Sequence, residues 1–250
     1  MSFAEAGVDT SQVVFSDDMI TPLASVLVNR LTGSRTIITR KMQTPPSLTY
    51  EQKLKLDDLA ERLIASEEPV TILIDGHEAE ISEYLIKKLP NARVVMDGGS
   101  LRASNIKLAA WTDYFVVSEH FARDYMSYRS LSTEAEIKAA LIELNKICRG
   151  EAFITLGEKG CAFLKSGMLQ IVPSWLCNAV DTTGAGDVFH GAFTYGVHYS
   201  WHIDNIILFA SLTAAISIEK KGVRESMPDL AVVHHSLNSY ERNLTQYFEE

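Results

Sequence analysis

Short apolar runs alternate with stretches of helical period through the middle of the chain. Residues 70–76 (VTILIDG), 92–99 (ARVVMDGG), 114–119 (YFVVSE) and 151–157 (EAFITLG) each pass from β-branched and apolar positions into glycine or a polar residue. That is the mark of a strand buried on both faces. Between them, residues 56–65, 81–89 and 133–147 repeat apolar side chains every three or four positions, which predicts helices. The alternation predicts a parallel sheet with helices on both faces. Ligands meet such sheets at the carboxyl ends of the strands, where Asp75, Asp97, Ser100, Ser118 and Glu119 fall. Residues 22–40 differ, because two β-rich runs flank residues 31–34 and predict a hairpin. Residues 44–47 are a proline-marked connection, and the chain has neither an internal repeat nor a low-complexity tract.

Composition narrows the class. A chain of 250 residues with 46% hydrophobic content can bury one sizeable core, so one α/β domain spanning residues 1–250 is expected. The formal net charge of -9 speaks against a nucleic-acid partner, which calls for a basic patch. Cys148, Cys161 and Cys177 are odd in number and lack C-x-x-C spacing, which argues against a disulfide framework or a zinc site. No basic segment followed by an apolar stretch opens the chain, and no apolar run reaches membrane-spanning length. A soluble, cytoplasmic protein with no membrane partner is expected.

The candidate chemistry gathers in NAVDTTGAGDVFHGAF, residues 178–193. Gly184, Ala185 and Gly186 leave the backbone free to turn and its amides open to a ligand. From Val188 onward, small and apolar residues recur at helical spacing, so the turn opens a helix. A helix start offers unpaired N–H groups and the positive end of the dipole, and glycine lets a large anion approach. Asp187 then stands either as a cap of that helix or as a general base beside a bound phosphate. Asp181 can hold a cation or brace the turn, and a second carboxylate here suits phosphate charge only in the company of metal ions.

DTTGAGDVFHGAF closely resembles the C-terminal signature of the PfkB family, the ribokinase-like sugar and nucleoside kinases. Three other stretches resemble the family in the expected order. FITLGEKGCAFL, residues 153–164, is similar to the strand-turn-strand beside the nucleotide phosphates, with Thr155, Gly157 and Gly160 at matching places. FASLTAAISIEKKGVRESMP, residues 209–228, is similar to the adenine-covering segment near a monovalent-cation site, with Gly222 and Ser226 in place. FAEAGVDTSQV, residues 3–13, resembles the segment leading to the lid strands. The resemblance implies a three-layer α/β/α sandwich with a mostly parallel central sheet and a partial β lid over residues 14–40. It implies Asp187 as catalytic base, an anion hole at Gly184, Ala185 and Gly186, and nucleotide contacts at Thr155, Gly157, Gly160 and Gly222. It also implies ATP and Mg2+ as cofactors, K+ at Asp181, Thr183 and Ser226, and a homodimer through the lid.

Two features depart from the family. Its usual opening, a strand with a sugar-binding aspartate and a glycine pair, precedes the part matched by residues 3–13. From that, this chain is expected to hold nucleotide more readily than it orients a sugar. The Asn-x-x-Glu motif that organises magnesium maps onto Ser118, Glu119, His120 and Phe121, which leaves Glu119 as the magnesium candidate. For the substrate, Asp97 and Arg102 are the candidates after the second strand. Arg102 either grips an acidic group by paired hydrogen bonds or is a surface residue following a turn. His190 either approaches the site or packs, and the His198/His202 pair lacks the glutamate of a zinc protease motif. Three readings stand: an ATP-dependent sugar kinase, a catalytically impaired nucleotide-binding or interaction protein, and a nucleoside kinase.

Overall fold

The computed structural model describes residues 3–13, 23–28, 35–40 and 47–237. Two compact units divide the chain, Met1–Lys55 and Leu56–Glu250. In the first, β1 (Leu23–Val28) pairs antiparallel with β2 (Arg35–Arg40), Leu23 opposite Arg40 and Leu27 opposite Thr36. This is the hairpin pairing expected from the two β-rich runs. Its tip, the rest of the expected lid at residues 14–22, and residues 44–46 of the proline-marked connection lie outside the described residues. Helix α1 (Tyr50–Ala65) begins within this unit.

The second unit is built on a mixed six-stranded sheet in the order β3-β4-β5-β6-β7-β8 among the described residues. Strands β3 (Thr71–Ile74), β4 (Arg93–Gly98), β5 (Tyr114–Ser118) and β6 (Glu151–Thr155) run parallel. Strands β7 (Cys161–Lys165) and β8 (Met168–Val172) complete it antiparallel. Because each parallel strand is laid beside its predecessor in one direction, right-handed crossovers put every connecting helix on the same face. These are α2 (Ala79–Lys88), α3 (Ala103–Ala109), α4 (Glu119–Tyr125) and α5 (Glu134–Asn145). Two helices that follow the sheet in sequence, α6 (Ala185–His198) and α7 (Ile203–Ser217), cover the other face.

The side-chain period of two sorts the strand residues between these layers. Val94, Met96, Phe115, Val117 and Ile154 pack with Ile86, Leu108, Ile137 and Leu141 of the crossover helices. Their neighbours Val95, Val116 and Phe153 pack with Phe193, Val197 and Ile207 of α6 and α7. Phe115, Phe153 and Phe193 are fully buried, each contributing about 1.5–3 kcal/mol. The expected three-layer α/β/α sandwich is therefore present. Helix α5 starts at a reciprocal cap, in which Thr133 Oγ1 accepts from the Glu136 amide at 3.2 Å and the Glu136 carboxylate accepts from the Thr133 amide at 2.9 Å.

Candidate active site

The carboxyl ends of the parallel strands and the first turn of α6 meet at one edge of the sheet. Gly184 caps α6 with φ 77°, in the left-handed region, which glycine enters without steric cost. The first helical bond runs from the Val188 amide to the Gly184 carbonyl, 2.9 Å. The amides of Gly186 and Asp187 therefore have no carbonyl one turn behind them, while the Ala185 amide donates to Thr182 at 3.3 Å. Among the described residues, nothing beyond its chain neighbours and the backbone of its own helix lies within 4 Å of the place a Cβ would take at Gly186. The turn is thus an open cradle of backbone donors, suited to the phosphates of a nucleotide.

Asp181 holds this cradle in shape. Its Oδ1 accepts from the Thr183 amide at 3.0 Å and its Oδ2 from the Gly222 amide at 3.3 Å. The Val180 and Asp181 amides also donate to Ile218, at 2.7 and 3.1 Å. These bonds bring residues 180–184 and 218–222 together, and the Ser226 hydroxyl donates to Val223 within the same segment at 3.3 Å. Thr155 ends β6 and donates to the Val117 carbonyl at 3.4 Å. Gly157 and Gly160, with φ 60° and 102°, shape the turn into β7.

A cavity of about 430 Å³ opens beside Asp187 and is lined by Leu73, Ile74, Asp75, Glu78, Ser82, Asp97, Asp187 and His190. Four of the eight are carboxylates, so the lining is rich in acceptors for hydroxyl donors. Asp97 follows Val95 by two along β4 and so shares its face, toward α6. There its Oδ2 lies 3.3 Å from His190 Nδ1. Burial pushes the Asp97 carboxyl upward from the ordinary aspartate range; His190 draws it back, and Asp187 and Asp75 push it up again.

The candidate residues thus fall into groups. Asp97 and Asp187 share a cavity, whereas Arg102, which precedes α3, does not line it. Asp181, Thr183, Gly222 and Ser226 belong to the cradle and its support. Glu119 opens α4 at the end of β5. Ser118 caps that helix, accepting from the Phe121 amide at 3.0 Å and donating to the Gly99 carbonyl at 2.9 Å. Phe121 is fully buried, its ring 5.5 Å from that of Phe115. Glu78 and Ser82 join the cavity beyond the residues singled out from sequence, and His190, which the sequence left between approaching the site and packing, lines it. His190 was legible as the residue one helical turn after Asp187, but its link to β4 was not.

An open α/β sheet with a glycine turn and a carboxylate at its carboxyl edge is the setting in which α/β proteins bind phosphate-bearing ligands. The chain belongs to the pfkB family of carbohydrate kinases, whose match covers residues 2–230. It is 29% identical to a ribokinase of Lactococcus lactis over 189 residues, 76% of this chain and 60% of that protein. It therefore spans less than two thirds of that relative. Among solved structures, ribokinase from Giardia lamblia superimposes with a TM-score of 0.78 at 20% identity, over 95% of this chain and 77% of that one. Arabidopsis thaliana ribokinase complexed with ribose and ATP gives a TM-score of 0.66 at 20% identity, over 85% and 67%. These superpositions establish the ribokinase-like fold. Among the described residues, no helix is long and apolar enough to cross a membrane, and no group of three or more His, Cys, Asp or Glu side chains is arranged to hold a metal ion.

Proposed function

We propose that the chain is an ATP-dependent kinase that phosphorylates a hydroxyl of a sugar or sugar derivative, acting in the cytoplasm. The observation that carries this reading is the position of Asp187, at the open first turn of α6 and on the wall of the acid-lined cavity. Asp187 takes the proton of the acceptor hydroxyl as that oxygen becomes the nucleophile. The amides of the α6 turn donate to the negative charge that develops, and they cost no reorganisation because the helix already holds them. Asp97 accepts from a second hydroxyl and orients the acceptor. Thr155, Gly157, Gly160 and Gly222 border the nucleotide. ATP would supply the transferable phosphoryl group, and Glu119 is the candidate that would help hold Mg2+, whose charge would offset that of the phosphates. Asp181, Thr183 and Ser226 are the candidates to hold K+.

Family membership and the likeness to a ribokinase complexed with ribose and ATP support this reading. The hairpin exposes Leu23, Leu27 and Ile38 and is a two-stranded sheet among the described residues, which supports a homodimer through it. A second reading, nucleotide binding without transfer, draws on Phe121, which puts a buried ring where the family's motif has glutamate. A nucleoside acceptor would use the same chemistry. The test is product formation with Mg-ATP across pentoses, hexoses, sugar acids and nucleosides. Asp187→Asn is expected to lower turnover at least ~100-fold with nucleotide affinity little changed, the size of a lost general base. Near-normal turnover in the variant removes Asp187 from that role. Nucleotide binding with no product from any acceptor favours the second reading.

A further inference from the structure

His190 lies one turn after Asp187 and is 4% exposed. Its Nδ1 is 2.7 Å from the Gly186 carbonyl oxygen and its Nε2 is 3.2 Å from the Val116 carbonyl oxygen. A carbonyl oxygen only accepts, and a neutral imidazole carries a single N–H. One tautomer would leave a bare ring nitrogen facing Gly186, the other would leave one facing Val116. Both bonds form together only when both nitrogens hold protons. The balancing charge is at hand, since Asp97 Oδ2 is 3.3 Å from Nδ1. The ring therefore touches three parts of the site: the turn that carries Asp187, the backbone of β5, and the carboxylate on β4.

We propose that His190 is a positioning residue for transfer, a buried imidazolium that holds the Asp97 carboxylate ionised and in fixed register with Asp187. The proposal rests on the kinase reading above for what Asp97 and Asp187 do. The charged and titratable groups around the ring are Asp97 from β4, Asp187 on its own helix, and Asp75 and Glu78, which share the cavity wall from the segment after β3. Strand β5 offers the ring only a backbone carbonyl. Asp97 has strong reasons to lose its charge, being buried beside Asp187 and Asp75; His190 is the main opposing influence, joined by a hydrogen bond from the Gly99 backbone. A protonated Asp97 would present a donor where the acceptor hydroxyl needs an acceptor.

The first experiment needs no turnover. The full chain labelled with 15N-histidine is studied by long-range proton–nitrogen NMR at about pH 7.5, where an unconstrained histidine is mostly neutral. The signal lost in His190→Phe is assigned to this ring, and both of its nitrogens are expected to be protonated. One protonated and one bare nitrogen would overturn the proposal. The second experiment is kinetic. In His190→Phe the acceptor KM should rise at least ~30-fold while the nucleotide KM stays within ~2-fold. The acidic limb of the acceptor kcat/KM profile should move to higher pH, because Asp97 then loses its cationic partner. His190→Asn, which returns a donor toward Asp97 and Gly186, should recover most of the acceptor affinity. Equal losses for both substrates, an unmoved limb, or Asn no better than Phe would overturn the positioning role. If no acceptor is phosphorylated by the wild-type chain, the kinase reading fails, and the nitrogen signals still decide the charge of His190.

Discussion

Replacing Gly184 with alanine puts the anion cradle to a quantitative test. With φ at 77°, an alanine here incurs the left-handed penalty of about 1–2 kcal/mol. The new Cβ would also stand 2.5 Å from Val223 Cγ1, well inside contact distance. Valine is stiff about χ1, so it cannot swing aside at little cost, and overpacking of this kind costs about 1–3 kcal/mol. Together the two effects give roughly 2–5 kcal/mol, a large share of the ~5–15 kcal/mol by which domains are stable. The two costs are separable. In a Val223→Ala background the steric cost disappears and only the dihedral cost remains, about 1–2 kcal/mol. The assay is urea denaturation of the wild type, both single variants and the double variant, with the slope checked for constancy. Calorimetric titration of Mg-ATP runs in parallel, and Gly184→Ala should weaken binding at least ~10-fold as the amides move. A single-variant cost below ~0.5 kcal/mol, or no recovery with Val223→Ala, would refute the idea that the cap conformation and the Val223 contact together set the cradle.

Asp181→Ala removes the acceptor of two backbone amides, at Thr183 and Gly222, and should cost about 1–3 kcal/mol in denaturation while weakening nucleotide binding measured by calorimetry. Glu83 accepts from Lys107 at 2.5 Å and Lys87 at 2.7 Å, and these bonds hold its carboxyl below the ordinary glutamate range. Its contribution is full above that range and is lost as pH falls through the lowered folded value. Against Glu83→Gln the wild type should be more stable by ~0.5–1 kcal/mol at neutral pH, reduced by solvent around both lysines, with the gap closing in pH-resolved melts as pH falls below the ordinary glutamate range. Burial pushes the Cys161 thiol up to about 12, so a thiol reagent at neutral pH should leave it unmodified in the folded chain and label it in denaturant. Labelling at equal rates in both states would show that β7 opens freely.

The parts that the sequence made legible are those where one physical signal dominates. Buried parallel strands carry unbroken β-branched runs, so β3 to β6 were visible, with ends displaced by a residue or two. The α6 start was visible because glycine at 184 and 186 has few other uses before an amphipathic run. Helix α3, Ala103–Ala109, spans under two turns, too short for its period to stand out. Strand β8 is five residues long with a single polar residue, Gln170, at its centre, too short a run for a period to stand out. Ser118 and Phe121 were read through what the family's motif does with a metal; their local physics here is a helix cap and a core ring. The His190–Asp97 pair joins residues 93 positions apart, and in one sequence nothing marks such a pair except the face each occupies.

The placement of every crossover helix on one side of the sheet has a consequence for synthesis. As the chain leaves the ribosome, β3 to β6 and the helices between them emerge as a block and can pack on each other. The opposite side of that sheet, with Val95, Val116, Phe153 and Phe163, gains its cover only when α6 and α7 follow. Through that interval the nascent chain carries a broad greasy plane, a surface to which holding chaperones bind and on which neighbouring chains aggregate. The glycine turn at residues 184–186 lies at the head of the segment that closes this plane, so the candidate site and the seal of the core are completed in the same late step of folding.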